Sequence, residues 1–361
     1  MILTELQIRR LRCLAEVRLV LDPGLNLILG ANGAGKTSII EAVHLLGYGR
    51  SFRGRPSEGL LQTGAANLEV YAEWLDGQNQ SHRAGLRHAG QSWEARLDGS
   101  GVQYLAELCA QFAVVTFEPG THELIAGGAE HRRRYLDWGL FHVEQDFLGC
   151  WRRYARALKQ RNALLKSGPS PASLAPWERE LGESGEALTR LRQGYLQQLE
   201  PFLMSEAESF IPELGEPLLE YRPGWKRAEL SLPDSLLLNR ERDLAVGHTT
   251  LGPHRADWRI GFSRVPGGEA LSRGQEKLTA LVCILGQARH LAALRGHWPI
   301  VCLDDLASEL DAAHQDRVLG AVVGSGAQVL LTGTQWPSKY SEAQGRGLAV
   351  FHVERGVVRR E

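Results

Sequence analysis

The sequence predicts an α/β fold at both ends of the chain with a helical insertion between them, and three observations carry this. A glycine-rich loop lies between an apolar strand and a helix near the N-terminus, and two apolar runs near the C-terminus end in polar residues. The middle of the chain turns to helical spacing and polarised charge. The lobe boundaries follow as 1–120 and 246–361 for the α/β parts and 121–245 for the insertion.

Each element has a local reason. AEVRLVL alternates, Asp22-Pro23-Gly24 breaks the chain, and LNLIL is a continuous apolar run, so Ala15 to Leu29 reads as strand, turn, strand. After Lys36 the apolar residues Ile39, Ile40, Val43 and Leu46 recur at helical spacing. NLEVYAEWL and SWEARL alternate around the turn signal Asp76-Gly77, which predicts short antiparallel strands over 66–98. Helix is expected over 131–210, interrupted by the Pro/Ser/Gly connector at 167–173. PIVCLDD (299–305) and QVLLTGT (328–334) read as buried parallel strands, with helices over 276–294 and 312–323.

Composition narrows the function classes. At 361 residues the chain is too long for a single small module, and 43% hydrophobic with 23% charged residues is ordinary globular usage. Lys plus Arg number 41 against 42 Asp plus Glu, so no whole-chain charge favours nucleic acid or acidic lipid. That balance hides a polarised middle. Between His131 and Lys166 nine basic residues face three acidic ones, while between Pro176 and Glu220 ten glutamates face three basic residues. The five cysteines form no CxxC pair and fit a reducing compartment. No apolar stretch approaches the roughly 18 residues of a membrane span, so a soluble, cytoplasmic protein with no membrane partner is expected.

Gly30-Ala31-Asn32-Gly33-Ala34-Gly35-Lys36-Thr37, followed by Ser38, fits G-x-x-x-x-G-K-[ST] between a strand and a helix. Its glycines let backbone N–H groups turn inward around phosphates. Lys36 is placed to reach the β- and γ-phosphates of ATP, and the Thr37 hydroxyl to ligate Mg²⁺. Asp304 and Asp305 end an apolar strand, where one carboxylate can hold Mg²⁺ and its neighbour can orient the attacking water. Leu271-Ser272-Arg273-Gly274-Gln275 opens a long helix, an arrangement that suits either a capping serine or an anion site.

The order of these motifs, with SELD at 308–311 and the strand ending TGT, resembles the ABC-type ATPases of the chromosome-maintenance branch. FRGRPSEGL near 52, RRRYLDWGLFHVE at 132–144, RALKQRNALL at 156–165, TTLGPHRAD at 249–257 and LSRGQEK extend the resemblance, over essentially the whole chain, to the RecF family of bacterial recombination mediators. The resemblance implies an ABC-type P-loop ATPase head with a mixed β-sheet and an inserted helical lobe. It implies a weak, DNA-dependent ATPase acting in repair and replication restart. Its ATP-driven homodimer would clamp duplex DNA near single-strand gaps, help load recombinase on single-stranded DNA, and work with RecR and RecO. Lys36 and Thr37 would grip the phosphates and Mg²⁺, and Asp304 the metal, with Asp305 in the place of the catalytic acid. Ser272, Gly274 and Gln275 would act in trans, Asp311 would lie at the dimer seam, and Arg12 matches a near-N-terminal arginine that contacts nucleotide.

The chain departs from the wider ABC pattern at several points. Arg273 replaces the middle glycine of LSGGQ, Asp305 the usual glutamate and Thr334 a common histidine, and no glutamine loop stands near Phe117-Glu118-Pro119. The shorter Asp305 would hold water at longer reach, so slow hydrolysis and a switch-like role are expected. Arg50, Arg53 and Arg55 beside Phe52, with the basic stretch from Arg132 to Lys166 and its Trp138, Phe141, Trp151 and Tyr154, are candidates to line a groove for the DNA backbone. The alternative is the nucleotide-binding subunit of a membrane transporter. A chromosome clamp with long coiled-coil arms is excluded by the short helical stretches.

Overall fold

The computed structural model describes residues 1–54, 59–89, 92–168, 170–265, 270–336 and 347–361. The strands are β1 (Ile2–Leu11), β2 (Leu14–Val20), β3 (Leu25–Leu29), β4 (Asn67–Leu75), β5 (Ser81–Ala89), β6 (Ser92–Leu97), β7 (Ser100–Gly101), β8 (Val114–Phe117), β9 (Pro217–Arg222), β10 (Asp257–Phe262), β11 (Ile300–Leu303), β12 (Val329–Gly333), β13 (Leu348–Glu354) and β14 (Val357–Arg360). The helices are α1 (Lys36–Tyr48), α2 (Leu105–Gln111), α3 (Glu123–Ala126), α4 (Ala129–Val143), α5 (Phe147–Leu165), α6 (Pro171–Phe210), α7 (Leu232–Leu238), α8 (Arg240–Val246), α9 (Arg273–Arg295), α10 (Leu306–Glu309) and α11 (Ala312–Gly324). They fall into two compact units, residues 1–121 with 271–361, and residues 122–270.

The first unit contains two six-stranded sheets. In the order β14-β13-β3-β12-β11-β8 the inner strands run parallel and only β14 is antiparallel, which is the mixed sheet of the expected head. Strands β3, β11 and β12 are buried along their whole length, as continuous apolar runs in a parallel sheet should be. The second sheet, β2-β1-β4-β5-β6-β7, is antiparallel throughout. Its β1 has only a partial alternation and was not expected from the sequence. It is held from both sides, with Glu5 opposite Val20 of β2 and Ile8 opposite Val70 of β4.

The second unit is helical around α5 and α6. Helix α6 runs 40 residues, about 60 Å, from a Ser170 cap and Pro171 in its first turn. The expected lobe boundary at 245 is corrected to 270. Strand β10 pairs antiparallel with β9, and Asp257 at its start receives Arg132 of α4 at 2.7 Å, so 246–270 folds with the helical unit. The boundary at 120 moves by one residue.

The charge polarity of the middle has a structural explanation, because the two halves neutralise each other. Arg153 on α5 meets Glu180 on α6 at 2.7 Å, and the fully buried Arg161 bonds Glu178 at 3.1 Å and Asp243 at 2.7 Å. Arg192 of α6 forks onto Asp137 of α4 with both bonds at 2.8 Å. A fork of this kind satisfies two donors of a buried guanidinium at once.

Candidate functional site

The phosphate loop is built where β3 hands over to α1. Gly33 and Gly35 adopt φ of 78° and 119°, a region that side chains other than glycine rarely enter. Gly30 is required for a different reason, since a Cβ there would lie 2.3 Å from the Val353 carbonyl oxygen of β13. Ser38 N–H donates to the Gly35 carbonyl at 3.1 Å, and Ala34 N–H to that of Ala31 at 3.2 Å, closing the loop. The Lys36 ammonium is nearly buried and donates to the Gly30 and Ala31 carbonyls at 2.8 and 3.0 Å, so it lies across its own loop.

Two neighbouring strands deliver the rest from their carboxyl ends, as open α/β sheets do. Asp304 follows β11, and its Oδ1 accepts from Thr37 Oγ1 at 3.2 Å and from Thr332 Oγ1 of β12 at 2.7 Å. Asp304 is 1% exposed, and this burial raises its carboxyl above the ordinary range. The hydrogen bonds from Thr332 and Thr37 pull it back, the neighbouring Asp305 opposes them, and the charge of Arg53 assists them. Asp305 takes a left-handed conformation, φ 50°, and its N–H donates to Thr332 Oγ1 at 2.8 Å. Thr332 thus ties the two aspartates together. Sequence reading passed over it in favour of Thr334, which is exposed; the available signal was the threonine one residue inside the end of the apolar run.

These groups surround a cavity of about 370 Å³ lined by Asn32, Gly33, Gly35, Lys36, Thr37, Ser38, Asp305, Arg12, Cys13 and Arg53. Arg12 therefore lines the same cavity. Its guanidinium is clamped by the fully buried Glu41 of α1 through Nε and, at 2.8 Å, Nη2, with Nη1 donating to Gly59 O at 3.2 Å. Among the described residues no cluster of three His, Cys, Asp or Glu could hold a metal, so a dedicated metal cage is absent there. The oxygen donors of Thr37 and Asp304 fit Mg²⁺, a hard ion that keeps water and substrate oxygens as its other ligands.

The LSRGQ residues are not part of this cavity. Ser272 caps α9 in a reciprocal box with Gln275, its N–H donating to Gln275 Oε1 at 2.8 Å and its Oγ accepting from Gln275 N–H at 3.3 Å. Ser272 and Gly274 are exposed, and Asp311 is the N-cap of α11, accepting the His314 N–H at 2.9 Å.

The expected basic run divides. Arg132 and Arg161 are buried against carboxylates of their own unit, Arg134 and Arg153 form ion pairs at its surface, and Trp138 and Tyr154 are buried. Arg152, Arg156, Lys159 and Lys166 remain exposed, with Trp151 at 41%. Arg53 lines the nucleotide-sized cavity, and Arg55 lies outside the described residues.

Among known proteins, the RecF/RecN/SMC N terminal domain family matches residues 2–359. A protein of Xanthomonas axonopodis pv. citri described as "DNA replication and repair protein RecF" is 56% identical, covering 99% of this chain and 98% of its own. A Thioalkalivibrio sulfidiphilus protein of the same description is 39% identical, with 99% of each covered. A solved structure described as the recombination mediator RecF with ATP in the RecFOR pathway superposes with a TM-score of 0.88 at 25% identity, over 100% of this chain and 97% of that one. An Smc head bound to part of ScpA shares the fold alone, TM-score 0.57 at 13% identity, over 100% of this chain and 98% of that one. By its phosphate loop, its paired aspartates and this end-to-end similarity, the chain belongs to the RecF/RecN/SMC N-terminal domain family, in company with the RecF proteins.

Proposed function

We propose that this protein binds ATP at the 370 Å³ cavity and acts in DNA replication and repair as a recombination mediator, in the cytoplasm. The observation that carries the reading is the convergence of Thr37 of α1, Asp304 beyond β11 and Thr332 of β12 beside the phosphate loop, with Asp304 3.2 and 2.7 Å from the two threonine hydroxyls. Lys36 leaves its loop carbonyls to meet the phosphates, and backbone N–H groups of the loop take the remaining oxygens. Thr37 and Asp304 would hold Mg²⁺, whose charge neutralises the phosphate oxygens. Asp305, held at the cavity by Thr332, orients the attacking water; as an aspartate it reaches less far than a glutamate, which favours slow turnover.

Exposed Ser272 and Gly274, with half-buried Gln275, at the start of α9 support a composite site, in which a second copy brings these residues to the phosphates and ATP closes a homodimer. Clamping of duplex DNA near single-strand gaps, release on hydrolysis, and cooperation with RecR and RecO rest on the RecF relatives. One of these is described in a RecFOR pathway. The transporter alternative gains no support from relatives whose descriptions are of DNA repair, and among the described residues no helix is long and apolar enough to cross a membrane.

ATP hydrolysis measured against protein concentration, with and without gapped duplex DNA at two salt concentrations, tests the proposal. The expected rate rises faster than linearly with protein and is stimulated by DNA in a salt-sensitive way. A linear rate indifferent to DNA would remove the composite site and the clamp together.

A further inference from the structure

The face that a composite site would present to a second copy is built from two stretches far apart in the chain. One is the start of α9, with Ser272, Gly274 and Gln275, and the other is the turn from α10 into α11, with Asp311. Both belong to the same compact unit, and an ion pair joins them, Lys277 Nζ to Glu309 Oε2 at 2.7 Å. Neither residue is placed to favour its own helix. Lys277 follows directly on the first turn of α9, where a cation gains nothing from the helix dipole, and Glu309 ends α10 beside free carbonyl groups. Their side chains are 27% and 11% exposed, so water and salt screen this pair far less than a surface pair such as Arg222–Glu220.

Each end of the pair is anchored. On α9 the reciprocal box of Ser272 and Gln275 fixes the turn immediately before Lys277. On the other side the segment from Asp305 to Asp311 is a hydrogen-bonded unit. Ser308 donates to the Asp305 carbonyl with its N–H and its Oγ, both at 2.9 Å, and Leu310 N–H donates to that of Leu306 at 3.0 Å. Gln315 of α11 donates to the Leu310 carbonyl at 2.8 Å, and Asp311 caps α11. The ion pair is therefore a strut between two ordered pieces of backbone rather than a contact between loose loops.

We propose that Lys277 and Glu309 are positioning residues that hold the start of α9 and the Asp311 turn in one register, so that a second copy's nucleotide meets them as a single face. This rests on the composite-site reading and deepens it. Two stretches set independently would each have to be ordered when the dimer closes, and that ordering subtracts from affinity. A two-fold dimer contains the strut twice, so a loss of about threefold at each site multiplies to about tenfold.

The test is sedimentation velocity of the full chain over a range of protein concentrations, with Mg²⁺ and a slowly hydrolysed ATP analogue, read as the concentration at which half the protein is dimeric. Titration with a fluorescent ATP analogue, at concentrations where the chain is monomeric, runs beside it. Lys277→Met, which keeps the aliphatic stem, and Glu309→Gln are each expected to raise the half-dimer concentration about tenfold. Nucleotide affinity of the monomer should not change, since neither residue lines the cavity. Lys277→Glu is expected to do worse, and Lys277→Glu combined with Glu309→Lys to regain most of the loss. Should the swapped pair fail to fold, Lys277→Met with Glu309→Gln takes its place and is expected to dimerise no more weakly than either single variant, the mark of two residues acting as one. Unchanged dimerisation of Lys277→Met, while Ser272→Arg no longer dimerises, would overturn the inference and leave the composite site standing. If Ser272→Arg dimerises like the parent, the composite reading fails and the inference with it. Single variants whose losses multiply in the double one, or an equal loss of nucleotide affinity in the monomer, would also overturn it: the first makes each residue a separate interface contact, the second makes the pair a general support of the cavity.

Discussion

Replacing Thr332 by valine keeps the volume and removes only the hydroxyl that joins the two aspartates. That hydroxyl donates to the buried Asp304 at 2.7 Å and accepts from Asp305 N–H at 2.8 Å, and Thr332 is 1% exposed, so water cannot substitute without opening the sheet. A hydrogen bond to a charged group contributes about 1.5–3 kcal/mol and a neutral one about 0.5–1.5 kcal/mol, which together predict a loss of roughly 2–4 kcal/mol. The Asp304 carboxyl, already raised by burial, should rise further once a donor is gone. A raised carboxyl favours the folded state below its unfolded pKa and loses that contribution as the pH climbs through the folded pKa. The deficit of the variant is therefore largest near neutrality and narrows in acid. Urea unfolding from pH 7 down to pH 4.5 measures both effects, with Thr332→Ser as the variant that keeps the hydroxyl. A loss below about 1 kcal/mol at pH 7, or a serine variant as unstable as the valine one, would refute the reasoning.

Other outcomes follow from single contacts. Arg161→Met leaves the buried Asp243 without its cation, while Glu178 keeps Arg240, and should cost about 3–5 kcal/mol in urea unfolding, a figure that an effect under 1 kcal/mol would contradict. Gly30→Ala forces a Cβ to within 2.3 Å of a backbone oxygen, so overpacking of about 1–3 kcal/mol should accompany loss of nucleotide affinity, both visible in melting curves with and without ATP. His254, bonded to Tyr154 at 2.7 Å, is pushed down to about 4 chiefly by burial, with the Thr249 carbonyl opposing. Its unfolded form takes up a proton first as the pH falls below about 6.5, so the native state should lose about 2 kcal/mol from this group between pH 7 and pH 5. A His254→Gln variant should show a correspondingly flatter stability profile over that range.

Much of the site could be read in advance because backbone chemistry is local. The Gly30–Thr37 loop needs left-handed glycines at fixed positions, and an apolar run ending in Asp304-Asp305 announces a buried strand with its functional end outward. Strand β1 escaped notice because its burial alternates only in part and one of its two partners, β4, is distant in sequence. The pairing of β9 with β10, and hence the lobe boundary, was hidden because paired residues lie 35 or more positions apart in the chain. The pairing of Arg132, Arg153 and Arg161 could not be read in advance. A cation's role depends on which carboxylate folds against it, and that partner lay on another element: Glu180 for Arg153, Asp257 for Arg132, and none for Arg53 among the described residues.

Strand β12 lies between β3 and β11, so the phosphate loop and Asp304 leave the sheet two strand spacings apart, about 9.5 Å. That interval is a ruler made of backbone hydrogen bonds, and no side-chain substitution in the core can lengthen it without breaking a ladder. The reach from loop to Asp304 is in this sense a constant of the sheet. What selection can adjust is the short span beyond it, the lengths of Thr37, Asp304, Asp305 and Thr332.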